Sequence, residues 1–439
     1  MLNDRFTSYF HDTFFQDKEE EFQSFLRAIE QPIPRTIRIK PGKEEKVKNN
    51  LEKDGWILKK TNISRVYSMD RREDFDPLER RLGFSLDHLL GNFYIQELAA
   101  ATPVDILADS QIQEDKFLIL DMASSPGGKT TQLAEYYPNS FIIANEPTRE
   151  RIPQLLQNLE RMETPHVGVT LYPGQYWKHL PETFDRILLD APCSGEWTLY
   201  KWTDAVKHWH LKNIKDISRL QAKLLDAALH ALKVGGEMIY STCSLNLFEN
   251  ENIVQSMYEK YDNWFEILFQ KKYWPHVDGT GGFFITKIRK LKSLEREEKS
   301  WPRGGRNDKL RVFRGNISPW RIQDGVILYE HDKKILAVKN PPNWLNDIYL
   351  MRFWEQIGAM ENWRYEPNFR STRYLQMSKV EIYDIHDDKI LDDYLRGNPL
   401  EHIWPDWYII LNYRWSTMGV EFRKDNIIDS RFPKEWRRK

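Results

Sequence analysis

Phe117-Leu118-Ile119-Leu120-Asp121, followed by Met122-Ala123-Ser124-Ser125-Pro126-Gly127-Gly128-Lys129-Thr130, is the stretch that decides the fold. Phe117 to Leu120 reads as a buried strand ending in an acid, the small-residue run reads as a loop, and a helix is expected from Thr130. The same pattern recurs downstream. A strand is expected at Phe141 to Ala144, ending in Asn145-Glu146, then a helix over about 149–162 and a strand at Val167 to Leu171. Ile187 to Leu189 reads as a strand ending in Asp190, and Ile214 to Leu232 as a long helix. Gly235-Gly236 is expected to break that helix before a strand at Glu237 to Thr242. Strands and helices alternating at this length predict an α/β fold with a parallel sheet covered on both faces. Residues 121, 146, 190 and 243 then gather at one edge of the sheet, where ligands bind in open α/β folds.

Outside this block the pattern changes. Residues 3–30 read as helical, with Phe6, Phe10, Phe14, Phe22, Phe25 and Leu26 on the apolar side, ended by Pro32 and Pro34. A strand at Arg35 to Lys40, a helix over 44–54 and strands at Trp56 to Leu58 and Ser64 to Ser68 complete a small α+β domain, residues 1–87. The α/β domain takes residues 88–292, with a helix at Gln96 to Leu107 near its start. Residues 293–312 read as a basic linker. Short strands follow, such as Gly325 to Tyr329, Ile335 to Val338 and Trp407 to Leu411, in two small β-rich domains at 313–380 and 381–439.

Hydrophobic residues at 41% and charged residues at 29% suit a soluble globular protein. No run approaches ~18 apolar residues, so no membrane span is expected, and the first fifteen residues lack the apolar core of a signal peptide. A cytoplasmic location is the expectation. Two cysteines, Cys193 and Cys243, are too few for a secreted disulfide scaffold and lack the spacing of a structural zinc site. A net charge of −1 gives no overall nucleic-acid signature. Locally, Lys287 to Arg314 holds eleven Lys or Arg against four Asp or Glu, and Arg431, Lys434, Arg437, Arg438 and Lys439 close the chain. Trp301, Phe313, Phe432 and Trp436 interleave with these cations, a combination that holds phosphates and stacks bases. Ordinary solvated stretches would look the same.

The loop after Asp121 is built for close approach. Gly127 and Gly128 carry no side chains, and the helix that follows points its positive end at whatever sits there. A tight turn without a ligand is the alternative. The spacing is neither G-x-x-x-x-G-K nor G-x-G-x-x-G, which disfavours a phosphate cradle. Glu146, 25 residues after Asp121 at the next strand end, suits a pair of ribose hydroxyls, or is simply an exposed acid. Asp190-Ala191-Pro192-Cys193-Ser194-Gly195-Glu196 and Ser241-Thr242-Cys243-Ser244 then bring the only two cysteines to two strand ends.

Asp121–Thr130, Asp190–Glu196 and Ser241–Glu251 resemble three signature motifs of the Sun-type (NSUN) RNA 5-methylcytosine methyltransferases. Gly91-Asn92-Phe93-Tyr94-Ile95-Gln96-Glu97 and Gly282-Phe283-Phe284 are similar to two further family segments. The C-terminal part, with Tyr394-Leu395-Arg396-Gly397, Trp407–Asn412 and Met418-Gly419, resembles the closing PUA-like domain of bacterial F-type small-subunit ribosomal RNA methyltransferases. The resemblance implies a Rossmann-like class I methyltransferase sheet and S-adenosyl-L-methionine as cofactor. It implies that Ala123, Ser124, Ser125, Pro126, Gly127, Gly128 and Lys129 line the methionine part, that Glu146 holds the ribose, and that Arg151 lies near it. Asp190 would meet cofactor and cytosine, Cys243 would attack, and Cys193 would assist release. Pro173 stands before Gly174 where the family usually has an Asp for the adenine amine, Trp197 stands where Gly is usual, and Tyr200 where Arg is common.

The implied chemistry is covalent. A thiolate adding at carbon 6 of cytosine makes carbon 5 electron-rich enough to accept a methyl group. Lys129 is a candidate for lowering the Cys243 pKa, Asp190 for hydrogen-bonding ring nitrogen 3, and no metal is called for. The target base must leave its stack, and the N-terminal and basic C-terminal parts would offset that cost. The expected partner of this monomer is RNA, ribosomal or else transfer RNA, with no membrane. Rival readings are a DNA cytosine methyltransferase attacking through Cys193, and a non-catalytic ribosome-assembly factor that keeps the fold.

Overall fold

Seven strands build the central sheet, in the order β10-β11-β9-β8-β5-β6-β7. They are β5 (Leu118–Asp121), β6 (Phe141–Asn145), β7 (Val167–Thr170), β8 (Phe184–Asp190), β9 (Leu232–Thr242), β10 (Phe265–Tyr273) and β11 (Phe283–Lys290). β5 pairs in parallel with β6 and β8, β6 with β7, and β8 with β9, while β11 runs antiparallel to both β9 and β10. Ile119, Leu120, Ile142, Ile143, Ile187 and Leu188 are fully buried, as strands covered on both faces require. This computed structural model describes residues 3–74, 82–196, 209–293 and, with breaks, 311–432. Trp197, Tyr200, Trp301, Trp436, most of the basic linker and the closing cations from Arg431 to Lys439 lie outside the described residues.

The alternation expected for the α/β block is present. Helices α5 (Leu98–Leu107), α6 (Gly128–Tyr136), α7 (Ile152–Arg161) and the long helix Leu211–Ala231 connect the strands. The glycine pair behaves differently from the sequence reading. The long helix already stops at Ala231, and β9 begins at Leu232, so Gly235 and Gly236 lie inside the strand segment. The strand pairing shifts register there, between Phe184 and Arg186 of β8. A local irregularity in the strand, not a helix stop, is what the glycines serve.

The N-terminal run of phenylalanines also differs from one continuous helix. It forms α1 (Asp4–Phe14) and α2 (Glu19–Glu30), with a turn between them. The turn folds the two aromatic faces together, with Phe10 and Phe25 stacked at 5.4 Å and Phe6 edge-on to Trp209 at 5.7 Å. A single helix of that length would leave most of these rings in water. The cluster continues into Trp209, Ile214 and Leu245, so α1 and α2 pack on the start of the long helix and the loop after β9. Behind them, β1 (Arg35–Ile39), β2 (Trp56–Lys60), β3 (Val66–Arg71) and β4 (Phe93–Ile95) form an antiparallel sheet ordered β2-β3-β1-β4.

Residues 1–80 and 91–303 form one compact unit, and residues 81–90 and 304–439 a second. The second unit is β-rich. One sheet includes Val326–His331 paired with Lys334–Lys339, and another includes Glu381–Ile385 parallel to Trp407–Tyr413. Leu89 and Leu90 pack there with Ile385, Leu391, Tyr394 and Leu411. Among the described residues no helix is long and apolar enough to cross a membrane.

Candidate active site

Parallel pairing brings the carboxyl ends of β5, β6, β8 and β9 to one edge, and Asp121, Glu146, Asp190 and Cys243 sit there or directly after it, as the sequence predicts. After β5, Ser124 N–H donates to Asn145 O at 2.9 Å, which ties the loop to β6. Gly127 turns the chain into α6 at φ +103°, a conformation that L side chains rarely adopt, and a Cβ there would meet Leu155 at 3.1 Å. Gly128 packs on the ring of Tyr94, whose Cε1 lies 3.2 Å from where its Cβ would be. The free N–H groups of α6 therefore face the space above β5.

Glu146 is 1% exposed and reaches back to this loop. Its Oε2 accepts from Ser125 N–H at 3.3 Å and its Oε1 from Thr148 N–H at 2.9 Å. Arg151 pairs with Glu146 at 3.4 Å and donates from Nη2 to Ser125 O at 2.7 Å. The structure thus brings Ser125, Glu146 and Arg151 together, with Glu146 at the end of β6. Pro173 follows β7 and carries no side-chain acceptor, so an adenine amine would need another partner.

Lys129, from the first turn of α6, donates to Asp190 Oδ2 at 2.7 Å. Ser241 Oγ donates to Asp190 Oδ1 at 2.8 Å. The Lys129 ammonium also lies over the Phe283 ring at 5.4 Å. The sequence suggested Lys129 as a cation for Cys243; the carboxylate of Asp190 is the partner it takes here. Beneath this pair, Asp121 is buried and accepts from Thr130 Oγ1 at 2.6 Å. Burial pushes its pKa up to about 7; the Thr130 hydrogen bond opposes this, and the charge of Asp190 adds to it.

β8 and β9 are neighbours with Asp190 opposite Ser241, so the loops that leave them converge. Cys193 and Cys243 meet there, joined as a disulfide with Cα atoms 6.3 Å apart. Cys243 N–H also donates to Cys193 Sγ at 3.3 Å. Both cysteines are partly exposed, hence reachable. A cavity of about 450 Å³ is walled by Phe25, Ile33, His276 and Gly282 together with Glu196 and Leu245 of the two cysteine-bearing loops.

Two supporting residues were given no role by the sequence; Arg38 carried no signal at all, and Tyr94 stood only within the family-like segment Gly91–Glu97. Arg38 of β1 is fully buried and donates to Gly128 O at 2.9 Å and to Glu135 at 2.8 Å. Tyr94 lies between Arg38 and Arg161, at 5.4 and 5.3 Å from their guanidinium carbons. Arg38 stands 90 residues before the carbonyl it holds, and no local pattern marks such a contact.

The family model described as 16S rRNA methyltransferase RsmB/F matches residues 108–289. The ribosomal RNA small subunit methyltransferase F of Shewanella piezotolerans is 36% identical over 394 residues, 81% of this chain and 81% of that protein. The protein of the same name from Aliivibrio fischeri (strain MJ11) is 36% identical over 289 residues, 61% of this chain, and the chain spans about 60% of its length. Among solved structures, a methyltransferase homologue from Pyrococcus horikoshii is 29% identical at a TM-score of 0.56, covering 64% of this chain and 94% of that one.

Proposed function

Since the chain belongs to the RsmB/F family of 16S rRNA methyltransferases, we propose that it is an S-adenosylmethionine-dependent RNA (cytosine-5-)-methyltransferase acting on small-subunit ribosomal RNA in the cytoplasm. The observation that carries this reading is the meeting of Cys193 and Cys243 beside Asp190, at the carboxyl edge of the sheet. Neither sulfur is needed to hold a core, and both are partly exposed.

The residues fit the cofactor. The α6 N-terminus and the 123–129 loop suit its amino acid part, and Glu146, with Arg151 alongside, suits the ribose hydroxyls. When bound, the cofactor supplies an electrophilic methyl group.

The chain's own groups do the rest. With the cysteine pair reduced, the Cys243 thiolate adds to carbon 6 of the flipped cytosine, forming a C–S bond. The ring electrons move toward nitrogen 3, and a proton delivered through Asp190, which accepts hydrogen bonds from Lys129 and Ser241, would neutralise the charge there and return when the C–S bond breaks. Carbon 5 then accepts the methyl group. Cys193, whose sulfur receives the Cys243 N–H, takes the carbon 5 proton, and the C–S bond breaks to return the Cys243 thiolate. Contacts from residues 1–87 and from the C-terminal domains at 313–380 and 381–439 would offset the cost of unstacking the base.

RNA containing 5-azacytosine tests the assignment. Wild type and Cys193→Ala should give a covalent RNA adduct, the latter accumulating it on ordinary cytosine as well. Cys243→Ala should give none. An adduct through Cys193 alone would overturn the assignment.

A further inference from the structure

Two buried glutamates cross between the cysteine loops. Glu196 follows Cys193 by three residues, yet its carboxylate serves the other loop. Oε2 accepts from Leu245 N–H at 2.7 Å and Asn246 N–H at 3.1 Å, two and three residues after Cys243. Oε1 accepts from Trp209 Nε1 at 2.8 Å and Asn246 Nδ2 at 2.9 Å. Glu249 follows Cys243 by six residues and reaches the opposite way. Its Oε2 accepts from Ser194 N–H at 2.9 Å, the residue directly after Cys193, and from Gln221 Nε2 at 2.9 Å. Its Oε1 accepts from Ser194 Oγ and from Asn246 Nδ2, the latter at 2.7 Å. Asn246 therefore bridges both carboxylates.

Two buried carboxylates this close repel each other, and burial together with the Glu249 charge pushes the Glu196 pKa up. An arrangement that unfavourable serves poorly as generic glue. Among the described residues, all eight contacts to the two carboxylates come from N–H or O–H donors, so an amide in place of either would turn its NH2 toward another donor. The other side of the Cys193 loop is held as well, by Gln221 Nε2 donating to Pro192 O at 2.8 Å.

We propose that Glu196 and Glu249 form a reciprocal clasp and are positioning residues for the thiol pair: each fixes the backbone beside the other loop's cysteine, which sets the Cys193–Cys243 distance during attack and release. The clasp accounts for why two loops from different strands present their sulfurs at one point. It rests on the reading of Cys193 and Cys243 as the working thiols.

The test uses the full chain with Glu196→Gln and Glu249→Gln, and two readouts. The first needs neither RNA nor cofactor: the rate at which a mild oxidant closes the Cys193–Cys243 disulfide in the reduced folded protein. The second is single-turnover methylation, with KM for RNA and cofactor measured alongside. Both variants should close the disulfide on the order of tenfold more slowly and methylate at least tenfold more slowly, because a misplacement near 1 Å costs that much or more. KM values should stay near wild type. Disulfide closure at the wild-type rate in both folded variants would overturn the clasp. If both variants slow closure but wild type methylates no RNA, the functional reading fails and the clasp stands. If either glutamine variant does not fold, Ser194→Ala carries the test, since it removes one donor to Glu249 and should slow both readouts in the same direction; no change in either would overturn the proposal.

Discussion

Lys129 and Asp190 form an ion pair of 2.7 Å across the mouth of the site, joining the first turn of α6 to the end of β8. Ser241 occupies the other oxygen of Asp190, so the carboxylate cannot rotate without breaking one of two bonds. Asp190→Asn keeps the shape and removes the charge. Its single-turnover rate at saturating RNA and cofactor should fall ~10²–10³-fold, the scale of losing one preorganised electrostatic contact. Lys129→Met should lower the same rate while RNA affinity stays unchanged. A near wild-type rate for Lys129→Met would sink a role for the pair in the chemistry.

Cys193 and Cys243 are within disulfide reach, and a disulfide holds no thiolate. Treatment with a mild thiol oxidant should abolish adduct formation on 5-azacytosine RNA, and a dithiol reductant should restore it in full. The Cys193→Ala variant should keep forming adduct after the same treatment, since Cys243 then has no partner. Equal oxidant sensitivity in that variant would refute the pairing as the cause.

Asp121 has a folded pKa of about 7 against roughly 3.9 for an unfolded Asp. Between those values the folded chain keeps the proton and the unfolded chain releases it, so this group's contribution to stability falls as pH rises through the window. Asp121→Asn keeps an acceptor for Thr130 and does not titrate. Relative to wild type, the variant should therefore gain stability between pH 4 and pH 7, on the order of a few kcal/mol. Urea unfolding at both ends of that range measures it, and a pH-independent difference would mean Asp121 stays ionised.

Phe10 is fully buried in the aromatic cluster that also holds Leu245, two residues past Cys243. Phe10→Ala should destabilise the first unit by ~3–5 kcal/mol, the range for a large buried ring. Tyr9 accepts from Leu247 N–H at 3.1 Å in the same cluster. Tyr9→Phe should lose about 1 kcal/mol and little else. Chemical denaturation reports both, and a surface-like loss below about 0.5 kcal/mol for Phe10→Ala would contradict the packing.

The order of strands and helices between residues 118 and 242 is legible in the sequence because the signals are local. Apolar runs of strand length, an acid at the ends of β5, β6 and β8, and small residues in the turns suffice. Parallel pairing then sends Asp121, Glu146, Asp190 and Cys243 to one edge, so most of the site can be listed before any contact is known. Partnerships are a different matter. Only the tertiary structure decides that Lys129 takes Asp190, that Arg38 holds Gly128, and that Glu196 and Glu249 serve each other's loops. It also breaks the N-terminal helix at Phe15 and gathers Leu89 and Leu90 with the C-terminal strands. These contacts join residues about 50 or more apart in the chain, except for the helix break. Their partners are chosen by which groups lose water together when the layers pack, and no local propensity encodes that choice.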